Sequence, residues 1–473
     1  MENNFIQYKT LYLLFLSMPD LHRKNFIAQD GERFTLLVNE DGIPDFWTTL
    51  YMTTKVRSQT QATQRAHLNN LVHINIWEQI VGERLSDKII RIINDHATIL
   101  NDDLFTTNEI HQIGHHCKLT SKAARRNLKA SSKKTRNDNL IKFISPISKI
   151  PDPIVGVEQQ IGRIREFAEY FEFLAINILR SKPSFSAYLD RISRIKSNIL
   201  NQKSKGRSSR NKVIDPDRKA PPPEVFDEVM RIVDLENPMN PFTSAVRTRN
   251  YLLFRVLYET GMRTGEILQL KITDIDFSDS AIQVRRRHND PEDTKRRFEP
   301  NAKTEERDIP ISRKLSNELR NYILYERREI PNTKSHSFLF VSNKGKSKGD
   351  PLSLIQFSKM VEKVAVSEKL ADFIEKNGFS TSRTLTKHSF RHNFNNRFSK
   401  IIDTNNALAV EEGRLNDVIS EKKEIEQRMY LNGHRSATSA IVYNLRHTKE
   451  QAEKLLKNEQ NRIDEHLNIG EFQ

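Results

Sequence analysis

Leu431-Asn-Gly-His434-Arg-Ser-Ala-Thr-Ser-Ala-Ile-Val-Tyr443 sets a Gly-His turn ahead of a short helical run, with a tyrosine nine residues beyond the histidine. A phenol oxygen is a poor nucleophile near neutrality, because its pKa is about 10. A tyrosine meant for covalent chemistry therefore needs a cationic setting that grips the group under attack. The rest of the chain is read for that setting.

Three upstream stretches offer it. In Thr260-Gly-Met-Arg263-Thr-Gly-Glu266 a helix stops at the glycine and another starts near Thr264, leaving Arg263 at the junction and Glu266 placed to brace it. A guanidinium fork matches the two non-bridging oxygens of a phosphate. In Lys387-His388-Ser-Phe-Arg391-His392-Asn-Phe394, His388 and Arg391 share one helical face, while Phe390 and Phe394 share another that anchors the helix. Lys303, in Asn301-Ala-Lys303-Thr-Glu-Glu-Arg-Asp-Ile-Pro-Ile311, lies in a polar connection before a strand, where a lysine can hand a proton to a leaving hydroxyl. Lys295, Arg296 and Arg297 stand close enough to compete for that role.

In this order (Arg263, Lys303, His388 and Arg391, Gly433-His434, Tyr443) the chain resembles the tyrosine recombinase, or phage integrase, family. The resemblance is strong over about 220–450, weaker over 44–190, and absent over 1–43. It implies a mainly α fold with a small β-sheet in the catalytic domain, joined to a helical core-binding domain in a C-shaped clamp. It implies that Tyr443 attacks a DNA phosphate to form a 3′-phosphotyrosyl link. Arg263 and Arg391 would hold the non-bridging oxygens, His388 would assist proton transfer, Lys303 would protonate the departing 5′-oxygen, His434 would bond the phosphate, and Glu266 would act as a brace. The implied activity is site-specific cutting and rejoining of double-stranded DNA without metal, ATP or other cofactor, by a homotetramer on two sites, serving a mobile element in the bacterial cytoplasm, with accessory proteins as further partners. A nicking-resealing or hairpin-resolving relative, or a catalytically silent DNA-binding regulator, are the alternatives. Two departures stand out: a long segment around 403–424 before the Gly-His turn, and Asn432 between the leucine and the glycine.

Bulk properties agree. Across 473 residues, 76 Lys and Arg against 61 Asp and Glu leave a net charge of +15, which favours a polyanionic partner. The 15 glycines and 17 prolines are fewer than usual, pointing to helices rather than tight turns. A single cysteine, Cys117, excludes an intrachain disulfide. The apolar run Leu11–Leu16 is too short to span a bilayer.

The organisation expected is an appendage over 1–43 with a strand at Phe34–Val38, a helical DNA-binding domain over 44–195, a basic linker over 196–219, a catalytic domain over 220–448 and a tail helix over 449–473. In the first helical region, Ser58 is the candidate cap of a helix reaching Trp77, and Val157–Leu179 forms a second. Strands are expected at 281–284, 307–311 and 337–341, and helices at 312–329, 353–363, 388–401, 415–430 and 437–446. The basic run 118–136 reads as a solvated loop or a phosphate-contacting segment; from it and the linker, Arg125, Arg126, Lys133, Lys134, Lys205, Arg207 and Arg210 are the candidate DNA contacts. His111, His115, His116 and Cys117 carry metal-capable side chains, but adjacent histidines diverge on a helix and no second ligand pair accompanies them, so no metal site is expected. The tail, with Leu455, Leu456, Ile463 and Leu467, reads equally as an intrachain helix or one that docks on a neighbour.

Overall fold

The computed structural model describes residues 18–94, 104–134, 153–182, 185–204, 219–379 and 385–470. The chain divides into two compact units, residues 1–27 with 33–212 and residues 28–32 with 213–473.

In the first unit, the antiparallel strands β1 (His22–Ile27) and β2 (Arg33–Val38) precede α1 (Phe46–Tyr51), α2 (Gln61–Val81), α3 (Leu85–Asn94), α4 (Thr107–Lys118), α5 (Ser121–Lys134), α6 (Val157–Leu179) and α7 (Phe185–Leu200). α6 spans the range expected of it, and its Ile164, Phe167, Phe171 and Leu174 are buried at spacings of three and four. Trp77 on α2 meets Phe167 edge to face, with centroids 5.2 Å apart. Leu21 and Leu37 lie in this same core, so the hairpin packs as part of the unit. α2 is capped by Thr60, whose side chain accepts from Thr63 N at 3.4 Å, and not by Ser58. A π-helical turn over Met52–Val56 ends just before a turn that holds Ser58, and the helix starts only after Thr60. Most of the basic run read as a solvated loop or a phosphate-contacting segment is helix α5: Thr120 Oγ accepts from Ala123 N at 3.2 Å, and Ala123 and Ala124 pack against Ile76 and Leu119. Two small apolar residues suffice to seat one face of an otherwise polar helix.

The second unit runs α8 (Pro223–Ile232), α9 (Ser244–Thr260), α10 (Thr264–Gln269), strands β3 (Ile275–Asp276), β4 (Ala281–Val284) and β5 (Arg307–Pro310), α11 (Arg313–Asn321), α12 (Leu354–Ala365), α13 (Glu368–Lys376), α14 (Ser389–Glu411), α15 (Glu421–Asn432), α16 (Ala437–Ile441) and α17 (Leu445–Gly470). The sheet is antiparallel in the order β3-β4-β5, with Ile282 opposite Ile309. At its centre lies α9, buried through Leu252, Leu253, Phe254, Val256 and Leu257. It ends where Gly261 turns left-handed at φ 60° and its N–H caps Leu257 O.

Residues 337–341 form no sheet strand. Phe338 to Val341 are buried and apolar, yet the backbone bonds of this stretch go to two different segments, with isolated bridges Lys271–Phe338 and Val341–Pro351. Phe390 of α14 is buried against Phe226 and Phe254, at centroid distances of 5.1 and 5.8 Å, whereas Phe394 is only half-buried. α14 continues ten residues past the expected 401, to Glu411, and α15 starts at Glu421. α17 runs unbroken through 449, where a tail boundary was expected. Among the described residues, no helix is long and apolar enough to cross a membrane.

Candidate active site

The start of α14 is the site's floor. His388 stands at its N-terminal boundary and Arg391 lies one turn in, only 1 % exposed. Arg391 Nη1 donates to Gly261 O at 3.1 Å and Nη2 to Asn432 O at 2.5 Å, so the guanidinium is locked between the end of α9 and the end of α15. Burial and the nearby Arg263 bring its pKa down to about 10.

Gly433 creates the turn that presents His434. It closes α15 at φ 61°, a conformation that favours glycine, and a Cβ there would sit 2.8 Å from both Arg307 Nη1 and Thr304 Cβ. The turn is fastened to the end of the β4–β5 connection: Glu305 N donates to Gly433 O at 3.1 Å, and Arg307 Nε to Leu431 O at 2.8 Å. Thus held, His434 Nε2 receives Arg391 Nη2 at 3.0 Å and Arg263 Nη2 at 3.3 Å.

Tyr443 lies in the break between α16 and α17, 9 % exposed. Its hydroxyl is 3.2 Å from His388 Nε2. Its ring lies between His434 (5.3 Å, 22°) and His392 (4.7 Å, 36°), with Arg391 Cζ 5.3 Å from its centroid. The structure therefore brings together Arg263, His388, Arg391, His434 and Tyr443 from segments 180 residues apart in sequence.

All three histidines are held neutral. Burial, then Arg391, Arg263 and Lys219, push His388 down to about 4. His388 is exposed at the residue level, and the three cations beside it act in the same direction as burial. Burial, then His388, Lys219, Arg391 and Arg446, push His392 to about 3; burial, then Arg391, Arg263 and Arg307, push His434 to about 3. A neutral His388 can take the tyrosine proton. Meanwhile Arg263 Nη1, Arg391 Nε and His434 Nδ1 are buried and find no hydrogen-bond partner among the described residues. Such groups are costly unless something else meets them.

Glu266 braces the site less directly than expected. Its carboxylate accepts from Arg263 N at 2.9 Å and Arg307 Nη2 at 3.0 Å, and also from Thr304 Oγ1; the Arg263 guanidinium stands 3.9 Å off. Burial raises its pKa, but Arg307, Arg391 and the bond from Thr304 outweigh this and hold it below the usual range. Lys303 is exposed on the β4–β5 connection and takes no part in the bonds that knit the cluster. Arg307, Thr304 and His392 were not foreseen as site residues. His392 had a signal, since it follows His388 by one helical turn; Arg307 had none beyond opening a strand.

Of the candidate DNA contacts, Arg125 and Arg126 lie on α5 of the first unit, Arg125 paired with Asp20 at 3.1 Å. Lys133 and Lys134 end that helix, and Lys205, Arg207 and Arg210 lie outside the described residues. The metal-capable side chains on α4 disperse: His111 meets Gln202 at 3.2 Å, while His116 and Cys117 are buried. No group of three or more such residues among those described could hold a metal.

An arginine pair, two histidines and a tyrosine on a helical frame with a small sheet are the features in which this chain is similar to the tyrosine recombinases. The phage integrase family model matches residues 226–400 of this chain. The chain is 25% identical over 177 residues to tyrosine recombinase XerD of Halalkalibacterium halodurans, covering 37% of this chain and 48% of that protein. It is 28% identical over 213 residues to a probable integrase/recombinase of Methanocaldococcus jannaschii, covering 45% and 49%. The chain thus spans about half the length of these curated relatives. Among solved structures, the XerH site-specific recombinase bound to a palindromic difH substrate aligns with TM-score 0.38 and 16% identity, over 81% of this chain and 95% of that one. The Tn1549 transposon integrase with circular-intermediate DNA aligns with TM-score 0.34 and 16% identity, over 74% and 99%.

Proposed function

We propose that this chain is a site-specific DNA recombinase acting through a 3′-phosphotyrosyl intermediate. The observation that carries the reading is the set of unmatched buried donors on Arg263, Arg391 and His434 beside a tyrosine hydroxyl bonded to a neutral histidine. In the proposed step, Tyr443 Oη attacks the scissile phosphorus while His388 takes its proton. The guanidiniums and His434 Nδ1–H gather the charge on the non-bridging oxygens. The bond to the 5′-oxygen breaks, and that oxygen takes a proton from Lys303, which swings in from its exposed connection. Religation reverses each transfer. The phosphotyrosyl bond retains the phosphodiester energy and the arginines supply the positive charge, so the scheme calls for neither nucleotide nor metal.

The duplex backbone is assigned to the first unit, through its basic residues at 125–134 and 205–210. A homotetramer on two sites, accessory proteins, service to a mobile element and a cytoplasmic setting belong to the same proposal. The test uses a nicked duplex built on the sequence that the wild-type chain enriches from a random-sequence library. A covalent adduct in the wild type that is lost in Tyr443→Phe is expected. Binding without any adduct would leave the silent regulator standing. Adduct and resealing without exchange between two duplexes would favour the nicking-resealing relative.

A further inference from the structure

One face of α14 does more than hold the phosphate-facing groups. His388, Arg391, Asn395, Ser399 and Asp403 follow one another at intervals of three or four, so they form a single stripe. Each holds the chain between Asn432 and Gln451. Asn395 and Asn432 exchange amide bonds at 2.7 and 3.2 Å. Ser399 Oγ lies 2.9 Å from the Asn444 side-chain amide. Asp403 receives His447 at 2.7 Å and Gln451 at 2.6 Å.

The Ser399 contact falls on the residue next to the nucleophile, and its hydrogen bonding is over-determined. Ser399 is fully buried. Its Oγ is 2.8 Å from Glu424 Oε1, and Arg428 Nη2 also donates to it. A hydroxyl has one proton and two lone pairs. The Glu424 carboxylate can only accept, so it takes the proton. Arg428 fills one lone pair. The other can only receive a donor, so we assign the Asn444 amide, placed with its Oδ1 toward Ser399, the flipped orientation with its NH2 there. Every hydrogen-bonding position of the Ser399 hydroxyl is then used, while Arg428 Nη1 still finds no partner among the described residues.

We propose that Ser399 and Asn444 are positioning residues for the nucleophile: they pin the turn after Tyr443 to the same rigid helix that carries Arg391. The pin rests on the recombinase reading for its purpose, though not for its geometry. It also gives the long 403–424 segment a task, because that segment ends by delivering Glu424 to Ser399. Without the pin, the turn is free to move the phenol off the line of attack, and a misplacement of about 1 Å costs on the order of a hundredfold in rate.

Two measurements test this. First, Asn444→Ala, Asn444→Asp, Ser399→Ala and the Ser399→Ala/Asn444→Ala double variant are compared on the nicked duplex at saturating DNA. Each single variant is expected to form adduct at least about tenfold more slowly with unchanged DNA affinity. The double variant is expected to be no slower than either single, since one contact is removed twice. Asn444→Asp should be as slow as Asn444→Ala, because the donor is gone and a carboxylate faces Glu424. Rates within twofold of wild type, single effects that multiply, or a wild-type rate in Asn444→Asp would overturn the proposal. Second, nitration of Tyr443 by tetranitromethane, followed by peptide mass spectrometry without DNA, should be faster in each variant than in the protected wild type. Unchanged nitration overturns the pin whatever the DNA result. Faster nitration in the variants, with no adduct from the wild type, would sustain the pin and reject the recombinase reading.

Discussion

Each unit of this chain contains a buried cluster of histidine and arginine, and the two are put together differently. In the first unit, His73 Nε2 pairs with His116 O and His116 Nε2 with His73 O, both at 2.9 Å, so α2 and α4 are laced reciprocally. Arg163 spends its donors on the carbonyls of Cys117 and Leu119 and on Ser121 Oγ. In the second unit, His434 and the two arginines turn their polar atoms toward one another and toward Tyr443, and three of those atoms find no hydrogen-bond partner among the described residues. Burial lowers the histidines in both places. A depressed histidine pKa therefore does not separate the clusters; the fate of the donors does. A cluster closed on backbone carbonyls is a fastening, and one left open beside a nucleophile is a site.

The strongest way to break this contrast is to remove one arginine from each cluster. Arg391→Ala takes away a preorganised donor and is expected to slow adduct formation by about a hundredfold or more at saturating DNA. Arg391→Lys should recover little, because an ammonium cannot reproduce the fork that spans Gly261 O and Asn432 O. Arg163→Met should instead lower stability by roughly 1–3 kcal/mol, since it strands buried carbonyls. Its adduct rate per folded molecule should match wild type. Thermal unfolding and single-turnover cleavage, measured on the same preparations, check both. A large cleavage defect in folded Arg163→Met would erase the distinction.

Next in size is Gly433→Ala. The added methyl meets Arg307 and Thr304 at a left-handed φ, so the Gly-His turn has to shift. Cleavage should fall about tenfold or more and the melting temperature should drop by a few degrees. A variant as stable and as active as wild type would show that the turn does not aim His434.

Much of this site was legible because its members announce themselves locally. The Gly-His turn, the H-x-x-R face and Gly261 at a helix end are all decided within a few residues. The brace was not legible, because Arg307 reaches Leu431 and Glu266, and Asn395 reaches Asn432, across separations that local pattern does not encode. Residues 337–341 failed for a related reason: a serine followed by four apolar residues fits a strand, but the backbone there splits its bonds between two segments. The length of α14 was readable after all, since Gly413, at φ 73°, is the first glycine after Gly378. Its C-terminal signal was passed over in favour of an earlier stop.

His392 sharpens the contrast further, being a histidine in the open cluster whose role is packing. Its ring lies on Tyr443 and edge-on to His388, with centroids 4.7 and 5.3 Å away. His392→Ala should slow cleavage several-fold by loosening the tyrosine. His392→Phe, which restores a flat face without a titratable nitrogen, should regain most of the rate. If phenylalanine is as poor as alanine, the imidazole itself takes part in the chemistry, and the residue belongs with His388.

The smallest effect expected is a difference in how the two clusters respond to acid and anions. All five histidines have folded pKa values, near 3 to 4, below the unfolded value of about 6.5. Below pH 6.5 the unfolded chain binds the protons first. The stability these groups contribute is thus complete above about 6.5 and is lost progressively as pH falls toward 4. Both units should weaken over that window. Sulfate should rescue only one of them. An anion seated against Arg263, Arg391 and His434 binds the folded second unit, and at ten times its dissociation constant stabilises it by about 1.4 kcal/mol. It also favours protonated His434, which turns an acid liability into a binding partner. The first cluster offers no such seat, because its donors already meet carbonyls. Amide hydrogen exchange at pH 5, with and without sulfate, resolves the two units separately. Protection should rise around α14 and the Gly-His turn and stay level around α2 and α4. Equal protection of both would mean that the anion acts on the whole chain through ionic strength, and that the open donors are not a phosphate seat.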